Sequence, residues 1–211
     1  IGAGAVHHAF TPGESDSTVL SLPRFQAMEY SAFVLNDWKP LRWLGFNYGL
    51  HLSAFYPLDS DEKPMVYPEP RVSMNVVLNE NTSLKAGYAR NVQYIQVLEN
   101  NTLDYQSLET WFPTVNGLKP VIADVVSAGA FFDFAEQYSA SAEVYYKQGQ
   151  NQIDFIDHAQ LISNPNVLNQ VRSGDSKAYG VELNLSKNVG KFTGAMSYTY
   201  SRVIYTINGI N

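Results

Sequence analysis

A two-residue alternation of side chains is the feature that most limits what this chain can fold into. Between residues 44 and 56 every second residue is Leu, Phe, Tyr or Ala, and most of the residues between them are Gly, Asn, His or Ser. Because successive side chains of a strand point to opposite faces, this pattern predicts a strand with one apolar face. The same alternation predicts seven further strands, at 26–36, 71–78, 83–89, 125–132, 139–147, 179–186 and 195–201.

The links between these segments alternate strictly in length. Short links, such as 79–81 and 133–137, alternate with long ones at 57–67, 95–123 and 149–177. Bacterial outer-membrane barrels alternate tight periplasmic turns with long extracellular loops in the same way. A tilted strand also needs about 9–11 residues to cross the membrane. The sequence therefore predicts an all-β, antiparallel transmembrane β-barrel segment in the bacterial outer membrane, with its long loops extracellular and its short turns periplasmic.

Composition agrees with a lipid-facing surface. Aromatic residues make up 13% of the chain and charged residues 16%, whereas roughly 25% charged is usual in soluble domains. Apolar side chains that face lipid and aromatic girdles at both interfaces would produce this balance. A soluble β-sandwich with an aromatic core and a free-standing eight-stranded barrel are the alternatives. The alternation of link lengths favours the membrane over the sandwich.

Several function classes are disfavoured by composition. The net charge of −6, without a Lys/Arg cluster, argues against nucleic acid as a partner. Cysteine is absent, and the chain has neither a Gly-x-Ser-x-Gly elbow nor a phosphate-binding Gly-rich loop. His7 and His8 are adjacent, so on an extended chain they point apart and make a poor metal site. We therefore expect no enzyme activity, no cofactor and no bound metal.

The two ends of the chain read differently from its centre. Residues 1–25 contain Gly2, Gly4, Pro12 and Pro23 without sustained alternation, which predicts an extracellular loop tail. About eight strands follow over 26–206, and the last residues read as the start of another loop. We expect residues 1–211 to be part of one outer-membrane barrel domain that is larger than this chain.

Short sequence phrases spread over nearly the whole chain are also informative. They are LPRFQAMEY at 22–30, EPRVS at 69–73, LNENTSLKAGY at 78–88, KPVIAD at 119–124, EVYYK at 143–147, NQID at 151–154, AYGVEL at 178–183 and SYTYSR at 197–202. Together they resemble the barrel of Bacteroidetes TonB-dependent outer-membrane receptors. They are characteristic of the family and the fold, and say little about the ligand.

The resemblance implies a barrel of about 22 strands around an N-terminal plug. It also implies a TonB box and, as is often found in this branch, a small carboxypeptidase-regulatory-like domain ahead of the plug; the plug and the TonB box are not in this chain. The implied function is energised import of a nutrient ligand, with outer-membrane lipid and, through the plug, the TonB-ExbB-ExbD system as partners. The alternative is a non-transporting barrel that acts as a scaffold or partner subunit for a surface lipoprotein or another outer-membrane complex.

Candidate contact residues lie in the long loops and on the polar phase of the strands. Tyr105, Trp111 and Phe112 are expected to offer exposed aromatic surface that stacks on sugars or binds a partner. Asp154 and His158 lie in the next long loop. His51, where the resemblance implies an arginine, shares the polar phase. The charged or amide side chains predicted to face the lumen, toward the plug or the ligand, are Arg71, Asn75, Lys85, Glu143 and Glu182.

Overall fold

The computed structural model describes residues 1–11, 24–100, 108–159, 166 and 169–207, and its regular structure there is eleven strands. No helix able to span a membrane occurs among these residues. The predicted all-β, antiparallel fold is confirmed. The strands are β1 (Gly2–Phe10), β2 (Phe25–Leu41), β3 (Leu44–Pro57), β4 (Met65–Asn79), β5 (Thr82–Gln93), β6 (Ile95–Asn100), β7 (Leu108–Pro113), β8 (Val121–Phe134), β9 (Tyr138–Phe155), β10 (Val171–Lys187) and β11 (Gly194–Ile207).

Nine of these strands form one antiparallel sheet in the order β1-β2-β3-β4-β5-β8-β9-β10-β11, and β6 and β7 pair separately as a hairpin. The eight predicted strands correspond to β2–β5 and β8–β11. The prediction of a loop over 1–25 is wrong for 2–10, because β1 pairs with β2 from Gly2–Phe33 to Phe10–Phe25. Small side chains at the start of β1 give no apolar alternation, so only backbone pairing with β2 reveals the strand.

The strands extend beyond the predicted bounds. β9 has 18 residues, and β2 and β10 have 17 each. The first short link shrinks to a turn at residues 42–43, and the link predicted as a loop over 95–123 contains the β6–β7 hairpin. The alternation fades near the strand ends, which explains why sequence alone predicts ends that are too early.

One face of the sheet is apolar and exposed. On β3 it presents Tyr48, Leu50 and Leu52, and the register places Val72 and Met74 of β4 beside them. We call this the convex face. From Phe46 to Tyr56 it spans about ten residues of a strand, which at a tilt of about 40° is roughly 25 Å, the height of the apolar band of an outer-membrane barrel.

The opposite face carries the buried residues and packs against the hairpin. Phe25, Ala27 and Phe55 of β2 and β3 form one cluster with Tyr94, and Ile95 of the hairpin packs against it. On the other side Phe112 of the hairpin packs on Ile153 of β9. Strands β3 and β9 stand four places apart in the sheet. The sheet therefore curves around the hairpin, and we call this inner face the concave face.

Candidate functional site

The β6–β7 hairpin lies across the concave face at the end of the sheet opposite the short turns. Val97 and Trp111 form a cross-strand pair on its exposed side, while Gln96 and Phe112 form the buried pair. The Trp111 ring centroid is 5.9 Å from that of Phe10 at the end of β1. The hairpin thus reaches from the end of β1 to β9 across the curved sheet, and it presents the Trp111 indole ring beside Phe10.

The buried side of the hairpin is held to β9 by the Gln96 side chain. Gln96 Nε2 donates to the Asn151 carbonyl at 3.2 Å, and Gln96 Oε1 accepts from the Ile153 N–H at 3.3 Å. Asn151 has a φ of 60°, a left-handed conformation that asparagine tolerates better than most residues. Its side chain donates to the Pro120 carbonyl at 2.9 Å. The irregularity in β9 frees backbone groups that Gln96 then binds.

Tyr94 fixes the base of the hairpin to β3. Its hydroxyl lies 2.8 Å from Ser53 Oγ, and its ring stacks on Phe55 with centroids 4.9 Å apart. The Thr114 N–H and hydroxyl both donate to the Tyr94 carbonyl. Tyr94 lies between β5 and β6, outside both strands, on the concave side of the sheet. Burial raises the pKa of its hydroxyl to about 12, and the Ser53 hydrogen bond acts in the opposite direction.

Beside Tyr94, a buried carboxylate joins β3, β4 and β5. Glu69 is 5% exposed; its Oε1 lies 2.9 Å from His51 Nδ1, and its Oε2 accepts from the Val92 N–H at 3.3 Å. The register between β4 and β5 ends at Arg71, directly after Pro70. Proline has no N–H to donate to a ladder, and the β4–β5 pairing does not continue past this point. The Glu69 carboxylate accepts the Val92 N–H in place of a strand carbonyl.

A second histidine–carboxylate pair lies on the same face. His8 Nε2 is 3.0 Å from Glu29 Oε2, and the His8 ring lies 6.3 Å from that of Phe55. His7 is exposed, and its register partner Met28 lies on the convex side, so the two histidines point apart as the sequence predicts. Among the described residues, no group of three or more potential ligands could hold a metal ion.

The structure places all five of the predicted lumen residues on the concave face. Asn75 is opposite Lys85, and Lys85 and Glu143 flank Gly129 in the same cross-strand row. Glu143 in turn lies directly opposite Glu182. The Lys85 ammonium sits 4.4 Å from the Phe131 ring centroid. Within the described part of the chain, neither this lysine nor the two glutamates form a salt bridge.

Arg71 and Asn75 each carry a buried polar atom without a hydrogen-bond partner in the described structure: Arg71 Nε and Asn75 Oδ1. Arg71 borders an open depression of about 260 Å³ that Ser73, Gly87 and Ser127 also line. Buried polar atoms in native proteins are nearly always satisfied by protein or water. The concave face is therefore a polar surface with charges of both signs and unused hydrogen-bonding capacity, suited to binding.

The predicted loop contacts differ in their surroundings. Trp111 is 45% exposed, whereas Phe112 is 1% exposed, so the expectation of exposed surface at Phe112 is wrong. Alternation within β7 turns Phe112 toward β9, where it packs on Ile153. Tyr105 lies outside the described residues.

The remaining two loop candidates lie at the tip of β9. Asp154 belongs to β9 rather than to a loop, opposite Arg172 of β10. His158 is exposed in the following turn, and its neighbour Asp157 accepts from Arg172 Nη2 at 2.8 Å.

Sequence reasoning missed Glu69, Tyr94 and Gln96 as the residues that organise this region. Glu69 lies between Pro68 and Pro70, and two prolines within a strand are a local signal of interrupted pairing. Tyr94 and Gln96 lie at or within the segment expected to be loop. The partner of Tyr94 is 41 residues away along the chain, and the partners of Gln96 are at least 55 residues away. No local sequence pattern therefore marks these two residues.

Comparison with known families identifies the architecture. A model of the TonB-dependent receptor-like β-barrel family matches residues 7–211. The chain belongs to this family. The match confirms the predicted fold class of a transmembrane β-barrel and the TonB-dependent receptor part of the resemblance. Receptors of this family are outer-membrane proteins. A comparison with curated protein sequences finds no match.

Solved structures share the fold at low sequence identity. The FrpB iron transporter of Neisseria meningitidis (F3-3 variant) superposes with a TM-score of 0.62 at 12% identity, covering 90% of this chain and 28% of FrpB. Its F5-1 variant gives 0.63 at 13% identity, covering 89% and 28%. FauA, the alcaligin outer-membrane receptor of Bordetella pertussis, gives 0.51 at 17% identity, covering 89% and 32%. The chain thus spans about a third or less of each relative's length.

Proposed function

We propose that this chain forms part of an outer-membrane receptor that imports a nutrient ligand by TonB-dependent transport. The observation that carries the proposal is the division of the sheet into two faces in a chain of this family. The convex face is apolar over the height of a bilayer. The concave face holds charges, such as Lys85 and Glu143, that form no salt bridge within the described residues. A wall of this kind separates lipid from a polar interior through which a solute can move.

The complete receptor is proposed to be a barrel of about 22 strands closed around a plug. In the same proposal the long loops are extracellular and the short turns periplasmic, and the TonB-ExbB-ExbD system acts through the plug. The sequence phrases support assignment to the Bacteroidetes branch with a carboxypeptidase-regulatory-like domain. The charges of Arg71, Lys85, Glu143 and Glu182 on the concave face suit contact with the plug, since none of them forms a salt bridge in the part of the chain that the structure describes.

The hairpin is the proposed first contact of the ligand. Trp111 is exposed beside Phe10, and both lie at the end of the sheet where the long connections begin. An indole face binds planar rings and the apolar faces of sugars. Asp154 and His158 at the tip of β9 are exposed nearby candidates for polar contact. FrpB is an iron transporter and FauA an alcaligin receptor, so ferric chelates belong among the ligands to test.

A gene-deletion uptake experiment tests this function. Cells with and without the full receptor gene are compared for uptake of labelled ferric chelates, cobalamin and oligosaccharides. We expect the deletion to abolish high-affinity uptake of one class. A strain that keeps the receptor but lacks TonB should lose the same uptake, because the energy for moving the plug would come from that system.

Uptake that does not change in the deletion strain would contradict the transport function. The scaffold alternative predicts that result together with a stoichiometric lipoprotein or other outer-membrane subunit that copurifies with the receptor. Copurification with intact TonB-dependent uptake would instead describe a transporter with an accessory subunit. The two readouts therefore separate the two functions.

A further inference from the structure

A positive charge without an acidic neighbour lies in the middle of the concave face. Arg71 belongs to β4, and the register places Gly49 of β3 and Ala89 of β5 directly beside it. Leu35 of β2 and Val125 of β8 follow in the same cross-strand row. Two paired strands therefore flank Arg71 on each side, and none of the four offers it an acidic side chain in this row.

The closest acidic residue along β4 on this face is already bound. Glu69 lies two residues before Arg71, and its carboxylate oxygens contact His51 Nδ1 at 2.9 Å and the Val92 N–H at 3.3 Å. Among the described residues Arg71 forms no salt bridge, and its buried Nε has no hydrogen-bond partner. The sheet around Arg71 thus leaves its guanidinium uncompensated.

The height of Arg71 along the strands limits where a partner can come from. Its neighbour Gly49 lies between Tyr48 and Leu50 of the apolar band on the convex face. With lipid on the convex side, a charge at this height faces only the interior of the barrel. Ionisable side chains within the membrane mark the paths of solutes and ions. A partner of Arg71 therefore approaches from the concave side.

The space beside Arg71 has the size and the lining of a site for a small molecule. The open depression of about 260 Å³ has Ser73, Gly87 and Ser127 in one cross-strand row along its floor. A Cβ added to Gly87 would meet no atom closer than 3.5 Å, so side chains leave this part of β5 uncovered. Pockets that enclose a drug-sized ligand measure about 300–1,000 Å³, and a water molecule takes up roughly 30 Å³. The depression therefore suits a molecule of several carbon atoms.

We propose that Arg71 and this depression bind the carboxylate of a small organic acid on the path of the transported solute. A guanidinium binds a carboxylate through two parallel N–H···O bonds, and the Ser73 and Ser127 hydroxyls are further donors at the floor. A solute is favoured over an acidic side chain of the plug at this position, because one carboxylate group would fill only a small part of the space. The inference rests on the proposed function, in which the concave face lines the lumen, and names carboxylates as the solute class.

Isothermal titration calorimetry of the purified full-length receptor in detergent tests the site. The probes are glutarate, a five-carbon dicarboxylate, and glutaramide, its uncharged analogue of the same shape. We expect saturable binding of glutarate, and binding of glutaramide that is weaker by about tenfold or more, because hydrogen bonds to charged groups contribute most. Arg71→Gln should weaken glutarate binding to the same extent.

Two further variants separate the charge from the space. Gly87→Leu should also weaken glutarate binding by about tenfold or more, because the new side chain would fill the depression while Arg71 remains. Lys147→Gln is the control, since Lys147 follows Val125 in the same cross-strand row but does not line the depression. It should change glutarate binding by less than about twofold.

Equal binding of glutaramide and glutarate would overturn the proposal, and so would an equal loss in Lys147→Gln. If glutarate does not bind, and Arg71→Gln unfolds at a lower urea concentration than Lys147→Gln, an acidic side chain of the plug occupies the site and the solute assignment is wrong. If glutarate does not bind and the two variants unfold alike, Arg71 is merely hydrated and the proposal is also wrong. Binding is measured without TonB, so intact uptake without glutarate binding would leave the transport function standing.

Discussion

Tyr94 is 2% exposed, and its hydroxyl forms a hydrogen bond with the buried Ser53 hydroxyl. Each buried hydroxyl therefore relies on the other as a hydrogen-bond partner. Replacing Tyr94 by Phe should lower the free energy of unfolding by about 1–2 kcal/mol, because Ser53 would be left buried without this partner. Tyr56→Phe, at an exposed position on the convex face, is the control. Urea unfolding of the full receptor, followed by tryptophan fluorescence, measures the difference. A loss no larger than that of the control would show that this hydrogen bond contributes little.

Tyr94 also makes stability depend on pH. Its pKa is about 12 in the folded protein, against an ordinary value of 10.0. The contribution of the neutral hydroxyl is therefore complete below pH 10 and is lost as pH rises through 12, because the unfolded chain releases the proton first. We expect the unmodified receptor to lose more stability between pH 9.5 and 11.5 than Tyr94→Phe does. Parallel pH profiles for the two proteins would contradict the assignment.

Trp111 is the exposed aromatic side chain that the proposed function needs at the hairpin. Trp111→Ala should weaken binding of the transported ligand about 3- to 10-fold, since one aromatic contact contributes about 0.5–1.5 kcal/mol beyond its area. Trp43→Ala, which removes an equally large exposed ring at a short turn, should leave the affinity unchanged. Binding is measured on the purified full receptor with the ligand found by the uptake experiment. Equal affinities for the two variants would remove Trp111 from the binding site.

At the scale of elements, the hairpin is held by side chains that reach strands distant in sequence. Gln96 binds two backbone groups of β9, whereas Gln93, three residues earlier, donates to the nearby Ile95 carbonyl. Gln96→Ala should therefore release the hairpin, with a cost of about 1–3 kcal/mol for buried groups left unpaired. Gln93→Ala should cost less than about 0.5 kcal/mol.

Hydrogen exchange measures this difference. The amides of residues 95–98, 111–112 and 153 should exchange at least tenfold faster in Gln96→Ala than in the unmodified receptor. In Gln93→Ala they should exchange at the unmodified rate. Unchanged protection in Gln96→Ala would mean that the apolar contacts of Phe112 with Ile153 hold the hairpin without the amide side chain.

The strands of the sheet are easier to predict from sequence than the hairpin that crosses it. The segments 43–56 and 179–186 alternate because they face lipid on one side, and that requirement is local to the strand. The β6–β7 hairpin has one side against β9 and the other exposed, but it is short and lies in a link that reads as a loop. Sequence therefore predicts Phe112 at the surface, since its burial depends on residues of β9 that no local pattern places beside it.

At the scale of the whole molecule, the two faces of the sheet meet different solvents. Leu183 is exposed on the convex face within the apolar band, and the adjacent Asn184 lies on the concave face, where it donates to Ser141 Oγ. Leu183→Lys should destabilise the receptor in a bilayer by about 2–4 kcal/mol, because the charge would enter hydrocarbon. Asn184→Lys should change stability by less than about 1 kcal/mol, since its side chain stays in a polar environment.

Urea unfolding of the full receptor reconstituted in lipid vesicles measures both variants. Equal destabilisation by Leu183→Lys and Asn184→Lys would contradict the assignment of the two faces. Leu183→Ala serves as a further control, because it shortens the side chain without adding a charge.

The sequence by itself determined eight strands of the sheet, β2–β5 and β8–β11. It also determined the face that each alternating residue takes and the alternation of short and long links. These are local properties: a strand turns successive side chains to opposite sides whatever its neighbours are. The tertiary structure alone decided that β1 joins the sheet, that Glu69 meets His51 and that the hairpin folds across the concave face. Each of these contacts joins residues far apart in the chain, so it depends on strand register and sheet curvature, which no single segment encodes.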